Sequence, residues 1–311
     1  MPFIRAKLIN GEEYFYLVRS ERVAGTVYQK TVRYLGGRAG AATYATENGL
    51  AMPPERALPS FKFPDLDSRI GALKQKWNSL QPLPREVGGK LREDLKLLFT
   101  YNSTAIEGSS LNLLETKEIL ECDTAVGGKP LRDYLAAKGH AEAVELMYSL
   151  SEKKKPLASE KEILAFHSKV VGGVVDALRP AGRYRDTPVY IIGSPFTPPP
   201  AEQVPGMMRK LVAGLNSNPE RLDPVALAAR AHFDFESIHP FADGNGRVGR
   251  LLSNLVLLRA GFVPLIIEKR ERKKYFGLLG AAQKSGDPGG VIRFFKLKEI
   301  KSLEFHLSQA T

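Results

Sequence analysis

Apolar and polar residues alternate over residues 3–36 in three short runs, separated by Asn10-Gly11 and Ala24-Gly25. A period of two places one strand face indoors, and Asn-Gly is the strongest short hairpin signal, so the pattern predicts a three-stranded meander. From Gly36 to Pro64 the chain accumulates Gly, Ala and Pro, with Pro53, Pro54, Pro59 and Pro64 each barring a helix interior; the stretch reads as a linker. The period then turns helical, over about 65–81, 86–107, 112–122, 130–154, 159–177, 201–216, 223–238, 245–260, 271–285 and 288–308. The interruption is Arg183 to Pro200, where Val189-Tyr190-Ile191-Ile192 reads as a strand and Pro195 and Pro198 to Pro200 forbid a helix. The expected organisation is a β module over 1–38, a linker over 39–64, N-terminal helices over 65–110 and a mainly α domain over 111–311.

A chain of 311 residues fits about two domains with a large core, and 43% hydrophobic with 25% charged residues excludes a wholly disordered chain. Cys122 stands alone and cannot form an internal disulfide, which favours a reducing compartment. Charge in Met1 to Lys7 breaks the apolar run a secretory signal needs, and the most apolar later stretch, Leu251 to Ile267, contains Asn254, Arg259 and Pro264. The expectation is a cytoplasmic protein with no membrane partner. Lys and Arg number 45 against 34 Asp and Glu, so the net charge of +11 suits phosphates, nucleic acid or an anionic surface without choosing among them. In the β module Arg5, Lys7, Arg19, Arg22, Lys30 and Arg33 lie among Tyr14, Phe15, Tyr16, Tyr28 and Tyr34, a mixture that could contact nucleic acid or simply form a basic, half-buried sheet.

Gly88-Gly89-Lys90 and Gly127-Gly128-Lys129 lack the earlier glycine and following hydroxyl of a phosphate-binding Walker loop. The histidines show no zinc spacing, and His140, His167, His232 and His306 are assigned to packing or surface roles. The informative stretch runs from His239 to Arg250, between a helix capped by Asp223-Pro224 and one ending at Gly261. Gly244-Asn245-Gly246 lets backbone N–H groups converge at a helix N-terminus, an anion site. Arg247 and Arg250, three apart, can fork onto further phosphate oxygens. Asp243 supplies the single carboxylate that suits Mg2+ bound to a polyphosphate, and His239 can accept a proton near neutral pH. Each element alone is common; no packing requirement asks for all of them in this order.

The stretch resembles the Fic motif, His-x-Phe-x-Asp/Glu-Gly-Asn-Gly-Arg-x-x-Arg, at every specified position, and residues from about 110 to 300, including Gly182-Arg183-Tyr184-Arg185 and Tyr275, look like the whole Fic domain. The resemblance implies a helical bundle with a β-hairpin flap, and transfer of AMP from Mg-ATP to a Ser, Thr or Tyr hydroxyl of a target protein and of the chain itself. It would make His239 the general base, Asp243 the magnesium ligand, and Phe241 the loop's anchor in the core. Asn245, with the Gly244 and Gly246 backbone, would hold the α- and β-phosphates, Arg247 the β-phosphate and Arg250 the γ-phosphate. Val189, Tyr190, Ile191 and Ile192 would form the flap that docks the target by main-chain pairing.

Upstream, Ser103-Thr104-Ala105-Ile106-Glu107-Gly108 resembles the inhibitory motif of the same family, placed on a helix ahead of the catalytic domain. Ser103 and Glu107 are four apart and share a face, so the hydroxyl could hold the helix end while Glu107 reaches Arg250. The reading is an adenylyltransferase held in check by Glu107. Its rivals are Glu107-dependent removal of AMP from modified protein, and a nucleic-acid-binding regulator working through residues 1–38, whose balance is only +4 from seven Lys/Arg and three Glu. A homodimer is left open.

Overall fold

A computed structural model describes residues 2–9, 12–23, 26–53, 61–172, 181–191 and 196–310. Three antiparallel strands, β1 (Pro2–Ile9), β2 (Glu12–Val23) and β3 (Thr26–Gly36), form the expected meander in the order β1-β2-β3. Both faces are covered. Tyr14, Tyr16 and Val18 join the main core, with the Lys210 ammonium 5.3 Å from the Tyr14 ring centroid, while Ile4, Phe15, Leu17 and Leu35 pack on Ala41 and Ala45. Those alanines belong to α1 (Arg38–Asn48), which corrects the expected linker: Ala is the best helix former, and an i, i+4 pair of small residues lets the helix sit close on the sheet.

The basic residues of this module are largely engaged at home. Arg5 bonds Gln29, Arg19 pairs with Glu21 at 2.7 Å, Arg38 pairs with Glu13 at 2.7 Å, and Arg33 lies over Tyr44. With Tyr14 and Tyr16 turned inward, the aromatic platform that single-stranded nucleic acid would need is missing from these positions.

The remaining helices are α2 (Pro64–Ser79), α3 (Arg85–Ile106), α4 (Leu113–Cys122), α5 (Leu131–Ser151), α6 (Glu160–Val171), α7 (Val204–Ser217), α8 (Pro224–Ile238), α9 (Asn245–Arg259), α10 (Arg272–Ser285) and α11 (Gly289–Ala310). They follow the predicted spans closely; the part of 159–177 beyond Gly172 lies outside the described residues. The antiparallel pair α8–α9 is the centre, buried around its whole circumference as a helix wrapped by others must be: every residue of α8 after Pro224 is buried. α5, α6 and α3 lie against α9, and α7, α10 and α11 against α8. Asp223 caps α8 through the N–H groups of Val225 and Ala226 and also takes the buried Lys296 ammonium at 2.6 Å, which bonds Asp67 of α2 as well. One lysine thereby ties α2, α8 and α11 together.

The expected strand over Val189 to Ile192 is not formed at 189–191, which are irregular, and Ile192 lies outside the described residues. Strand propensity reports fit to a pleated neighbour, and these residues have none in the described fold. The Tyr190 ring is 83% exposed. No helix among the described residues is long and apolar enough to cross a membrane.

Candidate active site

α8 ends at Ile238 because His239 adopts a left-handed conformation (φ 51°), donating its N–H to the Phe235 carbonyl at 2.9 Å, and Pro240 cannot continue the helix. Such a backbone costs a non-glycine residue about 1 kcal/mol or more and persists only where its surroundings impose it. The loop then turns inward. Phe241 is fully buried and stacks on His167 with centroids 3.7 Å apart and rings 2° from parallel. Asn245 braces the turn from both sides, donating to the Phe241 carbonyl at 2.8 Å and accepting its N–H at 2.9 Å. Both ends of its amide are thereby used within the loop, which leaves the Asn245 backbone N–H to face an anion.

Gly244 precedes α9 with φ 81°, where a Cβ would also press on Val171 at 3.1 Å and Val170 at 3.3 Å. It offers no side-chain cap. The first intrahelical bond runs from Val248 N–H to the Gly244 carbonyl, so the N–H groups of Asn245, Gly246 and Arg247 have no partner within the helix. These donors and the positive end of the helix dipole make an anion cradle.

A carboxylate lies beside this cradle. A Cβ on Gly246 would overlap Glu107 Oε1, and Arg250 donates to that same oxygen at 2.8 Å. Arg250 also donates to Ser103 Oγ at 3.0 Å and to the Ser103 carbonyl at 2.8 Å, so Ser103 and Glu107 converge on one guanidinium. The Ser103 hydroxyl thus meets Arg250 itself and not the helix end. Arg272 Nε, donating to the Ile106 carbonyl at 2.7 Å, fixes the last turn of α3 beside Glu107.

Two buried donors remain without partners, Arg250 Nη1 and Arg247 Nε. Arg247 otherwise reaches Asp243 Oδ1 at 3.3 Å and the Val170 carbonyl at 3.4 Å. Asp243 stands at the rim, its side chain 52% exposed and its Oδ1 accepting the Gly244 N–H at 2.6 Å. No cluster of three His, Cys, Asp or Glu able to hold a metal occurs among the described residues. The donor set therefore fits an ion that takes one carboxylate here and its other ligands from a polyphosphate and water, as Mg2+ does.

His239 is neutral at physiological pH. Burial lowers its imidazole pKa to about 4, opposed by the Glu236 backbone and helped by the nearby Arg185 charge. Its Nδ1 lies 3.9 Å from Glu236 Oε2. Glu236, buried, is pushed up to about 8 by burial and then by the Glu107 charge, which favours its neutral acid form at pH 7. Beneath it His232 Nε2 and the Tyr275 hydroxyl are 2.7 Å apart.

Three contributors escaped sequence reasoning. His167, assigned to packing, holds the loop: its Nε2–H donates to the Asp243 carbonyl at 3.2 Å while Nδ1 accepts the Gly182 N–H at 2.9 Å, and both bonds require one neutral tautomer. Burial, ahead of all other influences, brings its pKa down to about 4, which keeps that tautomer uncharged. Glu236 carried no signal beyond a carboxylate three residues before His239. Arg185 stood within a quoted motif without a role. Val189, Tyr190 and Ile191 make no described bond to the loop.

The Fic/DOC family profile matches residues 157–257, which hold His167, Arg185 and the whole loop. A protein adenylyltransferase Fic of Nematostella vectensis is 34% identical over 260 residues, covering 83% of this chain and 60% of that protein. Protein adenylyltransferase fic-1 of Caenorhabditis elegans is 35% identical over 220 residues, covering 70% and 42%. The chain spans about half the length of the curated relatives it matches. Among solved structures, a Fic-domain-containing signaling protein from Bacteroides thetaiotaomicron superposes with a TM-score of 0.71 at 30% identity, covering 78% of this chain and 96% of that one. Fic-1 from C. elegans superposes with 0.69 at 29% identity, covering 78% and 72%.

Proposed function

The chain belongs to the Fic/DOC family, and from that premise we propose that it is a protein adenylyltransferase, moving AMP from Mg-ATP to a hydroxyl side chain of a protein and restrained by its own Glu107. The observation that carries this reading is the Glu107 carboxylate lying beside the cradle at the N-terminus of α9, with buried unpartnered donors of Arg250 and Arg247 beside it. A guanidinium that holds a carboxylate beside the free N–H groups of a helix N-terminus offers the same chemistry to a phosphate.

In the transfer the acceptor hydroxyl oxygen bonds to the α-phosphorus while its proton passes to the neutral His239 imidazole. The bond from the α-phosphorus to the bridging oxygen breaks, and pyrophosphate leaves with the electron pair. Arg247 and Arg250 would hold the leaving charge, and the N–H groups of α9 the β-phosphate, in place before reaction, which is where such catalysis gains most. Mg2+, held by Asp243, would supply further charge neutralisation on the polyphosphate. The acceptor is a Ser, Thr or Tyr hydroxyl, and Tyr190, open to solvent, suits a surface that meets the target chain. The lone, exposed Cys122 suits a reducing cytoplasm. Hydrolytic removal of AMP is the second reading, favoured by one observation: the Glu107 carboxylate, held by Arg250 beside Gly246 and 33% exposed, could orient a water in the same site.

The test is Mg-ATP labelled on the α- or the γ-phosphate, incubated with the Glu107→Gly chain. Label from the α-position alone should remain on protein; retention of γ-label would make the enzyme a phosphoryl transferase. Release of AMP from pre-modified protein by the unaltered chain, without transfer by Glu107→Gly, would favour the second reading.

A further inference from the structure

Arg185 is buried, 5% exposed, and among the described residues it has no carboxylate within ion-pair distance. Removing a guanidinium from water is costly unless its donors are matched, and here carbonyl groups match them. Nε donates to His239 O at 2.8 Å, Nη1 to Thr187 O at 3.2 Å, and Nη2 to Pro199 O at 2.6 Å and, more distantly, Ile238 O at 3.4 Å. Its backbone N–H completes the set on Pro240 O at 2.9 Å. Ile238, His239 and Pro240 are consecutive, and they are the residues that turn the chain out of α8 through the left-handed His239. Thr187 and Pro199 bracket the stretch that carries Val189, Tyr190 and Ile191.

We infer that Arg185 is a positioning residue whose single guanidinium fixes His239 in its proton-accepting pose and joins that pose to Thr187 and Pro199, the two feet of the stretch bearing Tyr190. The inference rests on the adenylyltransferase reading for its catalytic consequence. A cation at the carboxyl end of α8 meets the negative end of the helix dipole and the carbonyls left unpaired there. Only the planar fork reaches both segments at once; a lysine keeps the charge and loses the reach. The phosphate cradle draws on Gly244 to Arg250, none of which Arg185 touches, so nucleotide binding is separable from this function.

The experiment compares Arg185→Lys and Arg185→Gln with their parent, the full chain carrying Glu107→Gly. It measures ATP affinity, the rate of self-transfer from α-labelled ATP at saturation, and the His239 signals in histidine-labelled NMR spectra. Arg185→Lys should lower self-transfer on the order of a hundredfold, the effect of roughly 1 Å of misplacement at a reacting group, with ATP affinity unchanged within about twofold. In Arg185→Gln the His239 titration should move up, since a cation is lost while the Glu236 backbone and the Glu107 and Asp243 charges still favour the protonated ring. Self-transfer by Arg185→Lys at the parent's rate, affinity falling in step with rate, or an unmoved His239 signal would overturn the inference. A parent that binds ATP yet transfers no label would instead sink the adenylyltransferase reading, leaving the His239 spectra to decide on Arg185. Should neither variant fold, the Arg185 Nε–H of the parent decides: slow solvent exchange is expected, and rapid exchange would refute the clamp.

Discussion

Replacing Glu107 by glycine removes the carboxylate from Arg250 and from the space over Gly246 at one stroke. Glu107 follows the last residue of α3 with ordinary helical angles (φ −85°, ψ 0°), so glycine is tolerated there. The guanidinium is 2% exposed and the Glu107 side chain 33%, so the pair is sheltered on one side only. A charge-assisted hydrogen bond contributes about 1.5–3 kcal/mol, and the open side of Glu107 favours the lower end of that range. At 1.4 kcal/mol per factor of ten, the carboxylate should disfavour a bound γ-phosphate by roughly 10–30-fold. Two assays share that number. The apparent ATP dissociation constant, measured by calorimetric titration, should fall by that factor in Glu107→Gly, and α-label transfer at sub-saturating ATP should rise by it. Glu107→Gln, which keeps a neutral acceptor for Arg250 and much of the bulk over Gly246, should lie between. Arg250→Ala should not reproduce the gain, because it releases Glu107 and deletes the clamp together. Should both Glu107 variants bind ATP like the parent while melting at the same temperature, competition for Arg250 is wrong, and α3 is a packing helix.

His239→Ala should abolish transfer with ATP affinity intact, as the cradle excludes the imidazole; equal loss of both would remove His239 from the base's role. Asp243→Ala should weaken Mg-ATP far more than metal-free ATP, and an unchanged magnesium requirement would show that the ion is held elsewhere. Stability should peak near pH 6.5, read as melting temperature from pH 5 to 9. Below that value the unfolded chain takes up protons that buried His140, His167, His232, His239 and His306, all lowered mainly by burial, refuse in the fold. Above it the histidines no longer contribute, while Glu236 and Glu299, already ionised in the unfolded chain, keep their protons in the fold up to about 8, so stability declines with rising pH. Five histidines oppose two glutamates on the acid side, a net of a few kcal/mol per pH unit at about 1.4 per group; a melting temperature rising from pH 6.5 to 5 would contradict it.

The loop from His239 to Arg250 was legible because its chemistry is contiguous: glycine, carboxylate and arginine types follow from the local turn and the helix it opens. Ser103 and Glu107 were legible for a related reason, since i, i+4 spacing fixes their common face before any partner is known. His167, Arg185 and Glu236 owe their roles to contacts that the chain's register cannot display, such as a ring stacked on Phe241 from another helix. The α1 helix was hidden in a stretch read by its Gly and Pro, although Ala41 and Ala45 already had the spacing of a helix face. At Val189 to Ile191 the error ran the other way, because β-branched and aromatic residues announce a pleated neighbour that the described fold does not provide.

Charge balance then links the parts of the site that the sequence could and could not display. Arg247, Arg250 and Arg185 bring three guanidinium groups within a few residues of one loop, and among the described residues Glu107 is the carboxylate that bonds Arg250. Among the described residues Arg185 is bonded only by carbonyls, with the Glu202 charge acting from beyond ion-pair distance, and Arg247 shares a half-exposed Asp243, so the guanidinium groups around the loop are incompletely paired with anions. Burial has made the nearby Glu236 neutral, so it does not repair the deficit. On the proposed reading, a polyphosphate entering the cradle would correct this imbalance, and Glu107 would restrain transfer as the chain's own partial correction of the same deficit.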